Sequence, residues 1–402
     1  MSFPPNLVRT YLRRFNVHED ELVLDPFCGT GTTLVECKKR GVPSIGIESN
    51  PIAHFATKVK LDWSPDPANL VRRAEENATK ASRQIAAGKV SRSRLRELPP
   101  TTGDLLLANS ISPVPLHKIL ILLDAIDHNG DKTHSDHQRL AIAKVLVSGA
   151  GNLRFGPEVG LGPVKKDAPV VENWLHAVKQ MSDDVRVLKG RNNIQSTAVL
   201  GDARVLTGHL RRNSVAAVIT SPPYPNEKDY TRITRLESVI LGFARDMDDL
   251  RAVKYSSIRS HTRCVYKNDR DDILVESQRD VSKISKEIEE RRVRLVKTSG
   301  FERLYARVTK LYFGGMFRHL SELRPLLRRD AKLAYVVGDQ ASYLRVMIRT
   351  AKILAKIATS LGYEVVGINT FRTRFSTATR EHLNEEVLLL RWPGHPRERK
   401  KT

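Results

Sequence analysis

The chain has 402 residues, with 67 Lys and Arg against 45 Asp and Glu, for a net charge of +22 and a pI near 10.0. That length can bury a substantial core with room for a second module, and that charge favours a polyanionic partner held by salt-dependent, sequence-independent attraction. No apolar run reaches a bilayer's thickness, no secretory signal precedes the first motif, and three cysteines suggest a reducing compartment without disulfides, so a soluble cytoplasmic protein is expected.

Pro4 to Leu12 predicts a helix and Glu21-Leu-Val-Leu24 a strand, which runs into Asp25-Pro-Phe-Cys-Gly-Thr-Gly-Thr-Thr33 and then a helical pattern from Leu34 to Arg40. Strand, glycine turn and helix is the layout that lets backbone amides approach a ligand closely. Only Gly29 and Gly31 fit the spacing, because Leu34 stands where a dinucleotide fingerprint has its third glycine. The next predicted strand, Ser44 to Ile47, ends on Glu48, seventeen residues past Gly31, about where an acid meets ribose hydroxyls in a doubly wound sheet.

Leu61 to Gln195 reads as a long insertion without a nucleotide-loop signature. It opens on Asp-Trp-Ser-Pro-Asp-Pro and carries helical patterns over Asn69 to Gly88, Leu116 to Ile126, Gln138 to Val147 and Val170 to Leu188, with a glycine-rich loop from Gly149 to Gly162. Lys89, Arg92, Arg94 and Arg96 form a basic stretch that suits either a solvated helix or phosphate contact. His117, His128, His134 and His137 lack paired cysteines and a repeated ligand spacing, so they read as surface histidines and no metal is expected.

Ala198-Val-Leu-Gly-Asp202 predicts a further short strand ending in an acid. The apolar run Ser214 to Ile219 then leads into Thr220-Ser-Pro-Pro-Tyr224. Pro222 and Pro223 have no N–H and fix their own φ, so the carbonyls of Ser221 and Pro222 are free acceptors at the rim of a sheet. An exocyclic amine on cytosine or adenine is a poor nucleophile because its lone pair is delocalised into the ring. Ser221 Oγ and the Pro222 carbonyl, gripping its hydrogens, would localise that pair while Tyr224 stacks on the ring.

Beyond this corner, Asn226 to Arg235 predicts the polar start of a helix that becomes apolar through Leu236 to Phe243. Asp229, Tyr230, Arg232 and Arg235 are tethered to the corner and suit either a nucleotide's sugar and phosphate or helix capping and ion pairing. Residues 244 to 300 are charged and helical in pattern, with Arg259, His261, Arg263 and Lys267 around a loop. Ala331 to Val337 predicts a strand, Val346 to Leu361 a helix closed by Gly362, and Glu364 to Thr370 with Glu386 to Arg391 a terminal strand pair. Arg372, Arg374 and Arg380 lie on the connection between those strands, and Arg397 to Lys401 is a basic tail.

Taken together, the DPFCGTGTT loop and the SPPY corner resemble the S-adenosylmethionine-dependent amino DNA methyltransferases. The resemblance implies an α/β fold, a Rossmann-like class I methyltransferase with a doubly wound, mostly parallel sheet and an antiparallel last strand, plus a largely helical inserted recognition region. It divides the chain into a cofactor-binding half at 1–61, a helical insertion and candidate recognition region at 62–195, a catalytic half at 196–392 with a helical insertion at about 244–315, and a basic tail at 393–402. It implies Asp25, Phe27, Gly29, Gly31 and Thr32 at the methionine end of S-adenosyl-L-methionine, Glu48 at its ribose and Asp202 at its adenine. Ser221, Pro222, Pro223 and Tyr224 would be catalytic, with Asp229, Tyr230, Arg232, Arg235, Arg372 and Arg374 on double-stranded DNA. The insertion stands ahead of Asp202, which departs from the family's cofactor-first arrangement.

In that family a serine at the first corner position goes mostly with cytosine N4, and an acid or amide mostly with adenine N6. The resemblance therefore implies site-specific cytosine-N4 methylation of flipped-out bases in duplex DNA, with a restriction or other defence system as possible company. Adenine-N6 methylation, an RNA-directed amino methyltransferase of the tRNA guanine-N2 kind and a catalytically silent DNA-binding subunit stand as alternatives. Cytosine-C5 chemistry needs an attacking thiolate, and Cys28, Cys37 and Cys264 read as buried or incidental thiols.

Overall fold

The structure is a computed structural model that describes residues 4–87, 95–128, 132–156, 158–376 and 380–394. The basic residues Lys89, Arg92 and Arg94 and the tail from Arg397 lie outside the described residues. The chain forms two compact units, one of Met1–Asn50, Ile194–Asp229 and Lys254–Thr402, the other of Pro51–Asn193 and Tyr230–Val253.

The first unit holds a seven-stranded sheet. Its strands are β1 (Leu22–Asp25), β2 (Ser44–Glu48), β5 (Ser196–Leu200), β6 (Val215–Thr220), β7 (Leu327–Gly338), β8 (Glu364–Ser376) and β9 (Glu381–Trp392), in the order β5-β2-β1-β6-β7-β9-β8. Every neighbouring pair from β5 to β7 is parallel, and β9 runs antiparallel to both β7 and β8. This is the expected mostly parallel sheet, and the last strand in the chain is the reversed one.

Parallel strands covered on both faces read as continuous apolar runs, and the run from Val215 to Ile219 serves both faces, with a register shift between Val215 and Ala217 that breaks strict alternation. Val215 and Val218 join Leu24, Leu333, Tyr335 and Val337 in a core beneath the helices Tyr305–Leu323 and Thr350–Ser360. Ala217 and Ile219 face the other way with Val23, Ala334 and Val336, against Leu7, Val8, Tyr11 and Leu12 of the helix Pro5–Arg14. That helix is the one expected over Pro4 to Leu12; Pro5 opens it, where a missing N–H costs nothing.

The expected helix from Val346 begins instead at Thr350. Gln340 and Ile348 exchange backbone hydrogen bonds as an isolated bridge, so the apolar Val346 and Ile348 are buried by a turn rather than by a helical face.

The second unit is helical. Pro51–Leu61, Pro67–Ala87, Pro113–Asp127, Lys132–Val145 and Val170–Leu188 pack around a fully buried Trp174 whose indole N–H donates to Gln138 O at 2.9 Å. The glycine-rich stretch from Gly149 is not all loop: β3 (Leu153–Phe155) and β4 (Val159–Leu161) pair antiparallel within it. His117 and His137 are buried and held by backbone partners, Arg96 N and Asp62 O, and burial lowers both of their pKa values. No helix among the described residues is long and apolar enough to cross a membrane.

Candidate active site

Strands β1 and β6 are adjacent and parallel, with Leu24 beside Val218, so the glycine turn and the double-proline corner leave the same edge of the sheet side by side. They are also bonded. Thr220 Oγ1 donates to Asp25 Oδ1 at 2.6 Å, and Thr33 Oγ1, just past the turn, donates to Ile219 O at 3.2 Å.

Asp25 is fully buried. Its Oδ1 also accepts from Phe27 N at 3.1 Å, while its Oδ2 has no hydrogen-bond partner. Burial pushes its carboxyl up to about 6, against the lowering effect of the Thr220 and Phe27 donors. A buried carboxylate oxygen without a donor calls for a cationic partner.

After Phe27 the chain turns through Gly29 (φ 55°) and Gly31 (φ 86°), left-handed values at which glycine has no Cβ to clash, and Gly31 N closes the turn on Cys28 O. Thr32 then opens the short helix Thr32–Lys38. Glu48, at the end of β2, binds this turn directly: its Oε2 accepts from Gly29 N and its Oε1 from Asn50 N, both at 2.8 Å. Burial raises its carboxyl to about 7, with the backbone donors opposing. Each oxygen has further lone-pair capacity to accept a second hydrogen bond.

The ring of Phe27 rests edge-on against His319, centroids 4.9 Å apart. His319 is buried on the helix Tyr305–Leu323, with Nδ1 2.8 Å from Ala203 O and Nε2 2.7 Å from the Tyr335 hydroxyl. Burial lowers its pKa to about 4, so a neutral ring donates at one nitrogen and accepts at the other. It ties the loop after β5 to β7 beneath the glycine turn, a role no local sequence pattern announced.

Asp202 does not stand open. Its carboxylate takes Arg204 Nε at 3.0 Å and Nη2 at 2.7 Å, and Arg204, itself 6% exposed, reaches on to Asp271 at 2.9 Å. The residue two places along was the available signal, since an acid and an arginine so spaced can pair across a turn.

At the corner, Ser221 Oγ donates to Val336 O of β7 at 3.1 Å. With its proton so directed, the hydroxyl offers lone pairs outward and acts as an acceptor, as an Asp or Asn oxygen would. Tyr224 lies across the end of β7, where a Cβ on Gly338 would come within 3.0 Å of its ring. Burial pushes its phenol up to about 12, with the charges of Glu385 and Arg374 also felt.

The remaining residues named from the sequence fall in three places. Asp229 is 6% exposed and pairs with Lys254 at 3.3 Å, with His261 Nε2 3.8 Å away, so it braces the chain leaving the corner. Tyr230, Arg232 and Arg235 begin the helices Tyr230–Ile233 and Arg235–Ile240 of the helical unit. Arg372 and Arg374 are exposed on β8, with Arg372 3.9 Å from Glu385.

All three cysteines are buried free thiols; burial raises Cys37 far above its ordinary range and Cys264 to about 11, so neither presents a thiolate. Among the described residues no group of three or more His, Cys, Asp or Glu is placed to hold a metal ion.

Comparison with known proteins points the same way as this geometry. Residues 1–58 match the family model described as DNA methylase. The chain is 27% identical over 269 residues to the Type II methyltransferase M.BsoBI of Geobacillus stearothermophilus, covering 60% of this chain and 51% of that protein. It is 23% identical over 386 residues to the Type II methyltransferase M.AvaI of Nostoc sp., covering 90% and 77%. A 61-residue stretch is 47% identical to the Type II methyltransferase M.MjaII of Methanocaldococcus jannaschii, covering 15% and 11%. The chain thus spans about half the length of the first of these relatives. In its motifs, its strand order and these matches, the chain resembles the amino DNA methyltransferases.

Proposed function

We propose that this chain transfers a methyl group from S-adenosyl-L-methionine to the exocyclic N4 of cytosine in duplex DNA, directly and in line, after the base has been swung out of the helix. The observation that carries the reading is the bond between Thr220 and Asp25, which makes one continuous rim of a glycine turn and a double-proline corner.

The residues present fit the cofactor. Asp25 Oδ2 is a buried oxygen in want of a cation, which the α-ammonium of the methionine part would be; the side-chain-free turn at Gly29 and Gly31 leaves space beside it; and Glu48 is poised for ribose hydroxyls. Phe27 and Thr32 line the same turn, and Asp202 stands at the adenine end of this row. When bound, the cofactor supplies an electrophilic sulfonium methyl.

The chain's own contribution lies in the corner. Ser221 Oγ, freed as an acceptor by its bond to Val336 O, and the Pro222 carbonyl take the two amine hydrogens and localise the nitrogen lone pair. Pro222 and Pro223 hold those acceptors stiff. Tyr224 replaces the stacking that an extruded base loses, worth roughly 1 to 3 kcal/mol. Arg372 and Arg374 on β8, with Tyr230, Arg232 and Arg235 after the corner, are assigned to the sugar-phosphate backbone.

Serine at the first corner position supports cytosine over adenine, and the relatives' printed names, Type II methyltransferases, suggest a restriction-modification setting. DNA from cells expressing the protein, sequenced by a method that separates N4-methylcytosine from N6-methyladenine, tests the assignment. N4-methylcytosine at one recurrent sequence is expected. N6-methyladenine would overturn the base assignment, and transfer of labelled methyl to RNA but not duplex DNA would overturn the substrate. Wild-type transfer by a double Ser221→Ala, Tyr224→Ala variant would overturn the site.

A further inference from the structure

Residues 254–271 lie outside every motif, yet they are fastened to the rim at both ends. At the β2 and β5 exits, Ser257 Oγ is 3.0 Å from Ser49 Oγ, the residue after Glu48, and Arg204 Nη2 donates to Tyr255 O at 2.7 Å while also holding Asp202. At the corner, the Glu227 carboxylate accepts both the N–H and the hydroxyl of Thr262, and the Tyr343 hydroxyl donates to Ser260 O at 2.8 Å. Between these ties, Arg259 is buried, forks onto Asp269 and donates to the carbonyls of Lys254, Tyr255 and Ser257.

A segment so pinned holds its side chains still. Tyr255 is stacked on Tyr266, centroids 3.9 Å apart and planes 18° apart, and remains 50% exposed. Tyr266 covers one face of the ring, the Arg259 guanidinium lies 5.9 Å from its centroid, half of the residue remains exposed, and its backbone is bonded at the exit of β5.

We propose that the Tyr255 ring is a wall of the cofactor site on which the adenine of S-adenosyl-L-methionine stacks, and that Asp202 serves this wall as a positioning residue through Arg204. The inference rests on the functional reading above. Adenine is favoured over an extruded base as the occupant because the segment carrying Tyr255 is tied at the exits of β2 and β5, by Ser257 to Ser49 and by the Tyr255 carbonyl to Arg204. Those strands stand two and three places from β6, which carries the corner, or roughly 10 to 14 Å at ordinary strand spacing. A base held at Tyr224 does not span that distance.

Calorimetric titration of the full chain with S-adenosylhomocysteine and with methylthioadenosine tests the proposal. Tyr255→Leu and Tyr255→Ala are expected to weaken both ligands by about tenfold, and Tyr255→Phe by less than about twofold. Tyr255→Leu keeps the bulk that folding needs, so its loss reports the ring face. Affinities of a folded Tyr255→Leu within twofold of wild type would overturn the wall, as would weakened DNA binding with cofactor affinity intact, which would put a nucleobase there. Wild-type protein that bound neither ligand would instead overturn the functional reading.

Discussion

Thr220 Oγ1 and Asp25 Oδ1 lie 2.6 Å apart, although 195 residues separate them in sequence. Their bond satisfies one oxygen of a fully buried carboxylate and fixes the corner strand against the turn strand at the point where both motifs begin. Thr220→Val keeps the shape and removes the donor. The variant is expected to lose about 1 to 3 kcal/mol in urea unfolding and to bind S-adenosylhomocysteine more weakly than wild type. Unchanged stability would mean that the bond is not formed in solution.

The turn also carries a pH dependence. Burial raises the Asp25 carboxyl to about 6 and that of Glu48 to about 7, so the free protein holds protons there that a cation and ribose hydroxyls would displace. Binding should therefore release protons, and affinity for S-adenosylhomocysteine should rise between about pH 5.5 and 7.5. For folding the sign is opposite. Carboxyls with raised pKa values favour the folded state below their unfolded values, and that contribution fades as pH climbs through 6 and 7. Calorimetry in buffers of differing ionisation enthalpy measures the released protons, and Glu48→Gln should flatten the upper part of the profile.

How much of this was legible in the sequence follows from the range of the forces involved. The glycine turn and the double-proline corner act on their own backbone, and the strands of a covered parallel sheet are unbroken apolar runs such as Val215 to Ile219, so both could be read from adjacent residues. Val346 and Ile348 misled because a buried turn and a buried helix face take the same residue types. The pair β3 and β4 hid in a glycine-rich stretch for want of alternation. His319 and Tyr255 had no local signature at all, because their partners Ala203, Tyr335 and Tyr266 are supplied by the fold, and of the two acids that hold Arg204 only Asp202 was within local reach, Asp271 being brought in from a distant loop.

His319 gives a second stability prediction. Its neutral ring satisfies Ala203 O and the Tyr335 hydroxyl, and burial depresses its pKa to about 4 against an ordinary 6.5. The unfolded chain takes up the proton first as pH falls. The stability due to the neutral ring is therefore complete above about 6.5 and lost progressively down to about 4. His319→Phe fills the space under Phe27 but strands two buried polar groups, and about 2 to 5 kcal/mol of destabilisation is expected. Its unfolding free energy should also lose the histidine's share of the decline between pH 6.5 and 4, which parallel urea titrations of the two proteins measure.

The corner and the β8 ribbon should separate into chemistry and binding. Tyr224 lies on Gly338 at the end of β7, and the charges of Arg374 on β8 and Glu385 on β9 are felt at its phenol. Arg374 and Arg372 are exposed on β8, where a phosphate backbone is the polyanion that a net charge of +22 attracts. Replacing either arginine by alanine should weaken binding to all duplexes alike, and should lower the slope of log affinity against log salt by about one for each phosphate no longer neutralised. Tyr224→Ala should leave that slope and the cofactor affinity intact while slowing methyl transfer by about ten- to a hundredfold, the kinetic equivalent of roughly 1 to 3 kcal/mol of stacking. Fluorescence anisotropy at several salt concentrations and single-turnover transfer from labelled cofactor measure the two effects. If Arg374→Ala slowed transfer on saturating DNA as strongly as Tyr224→Ala does, the ribbon would belong to the chemical step and its assignment to the backbone would be wrong.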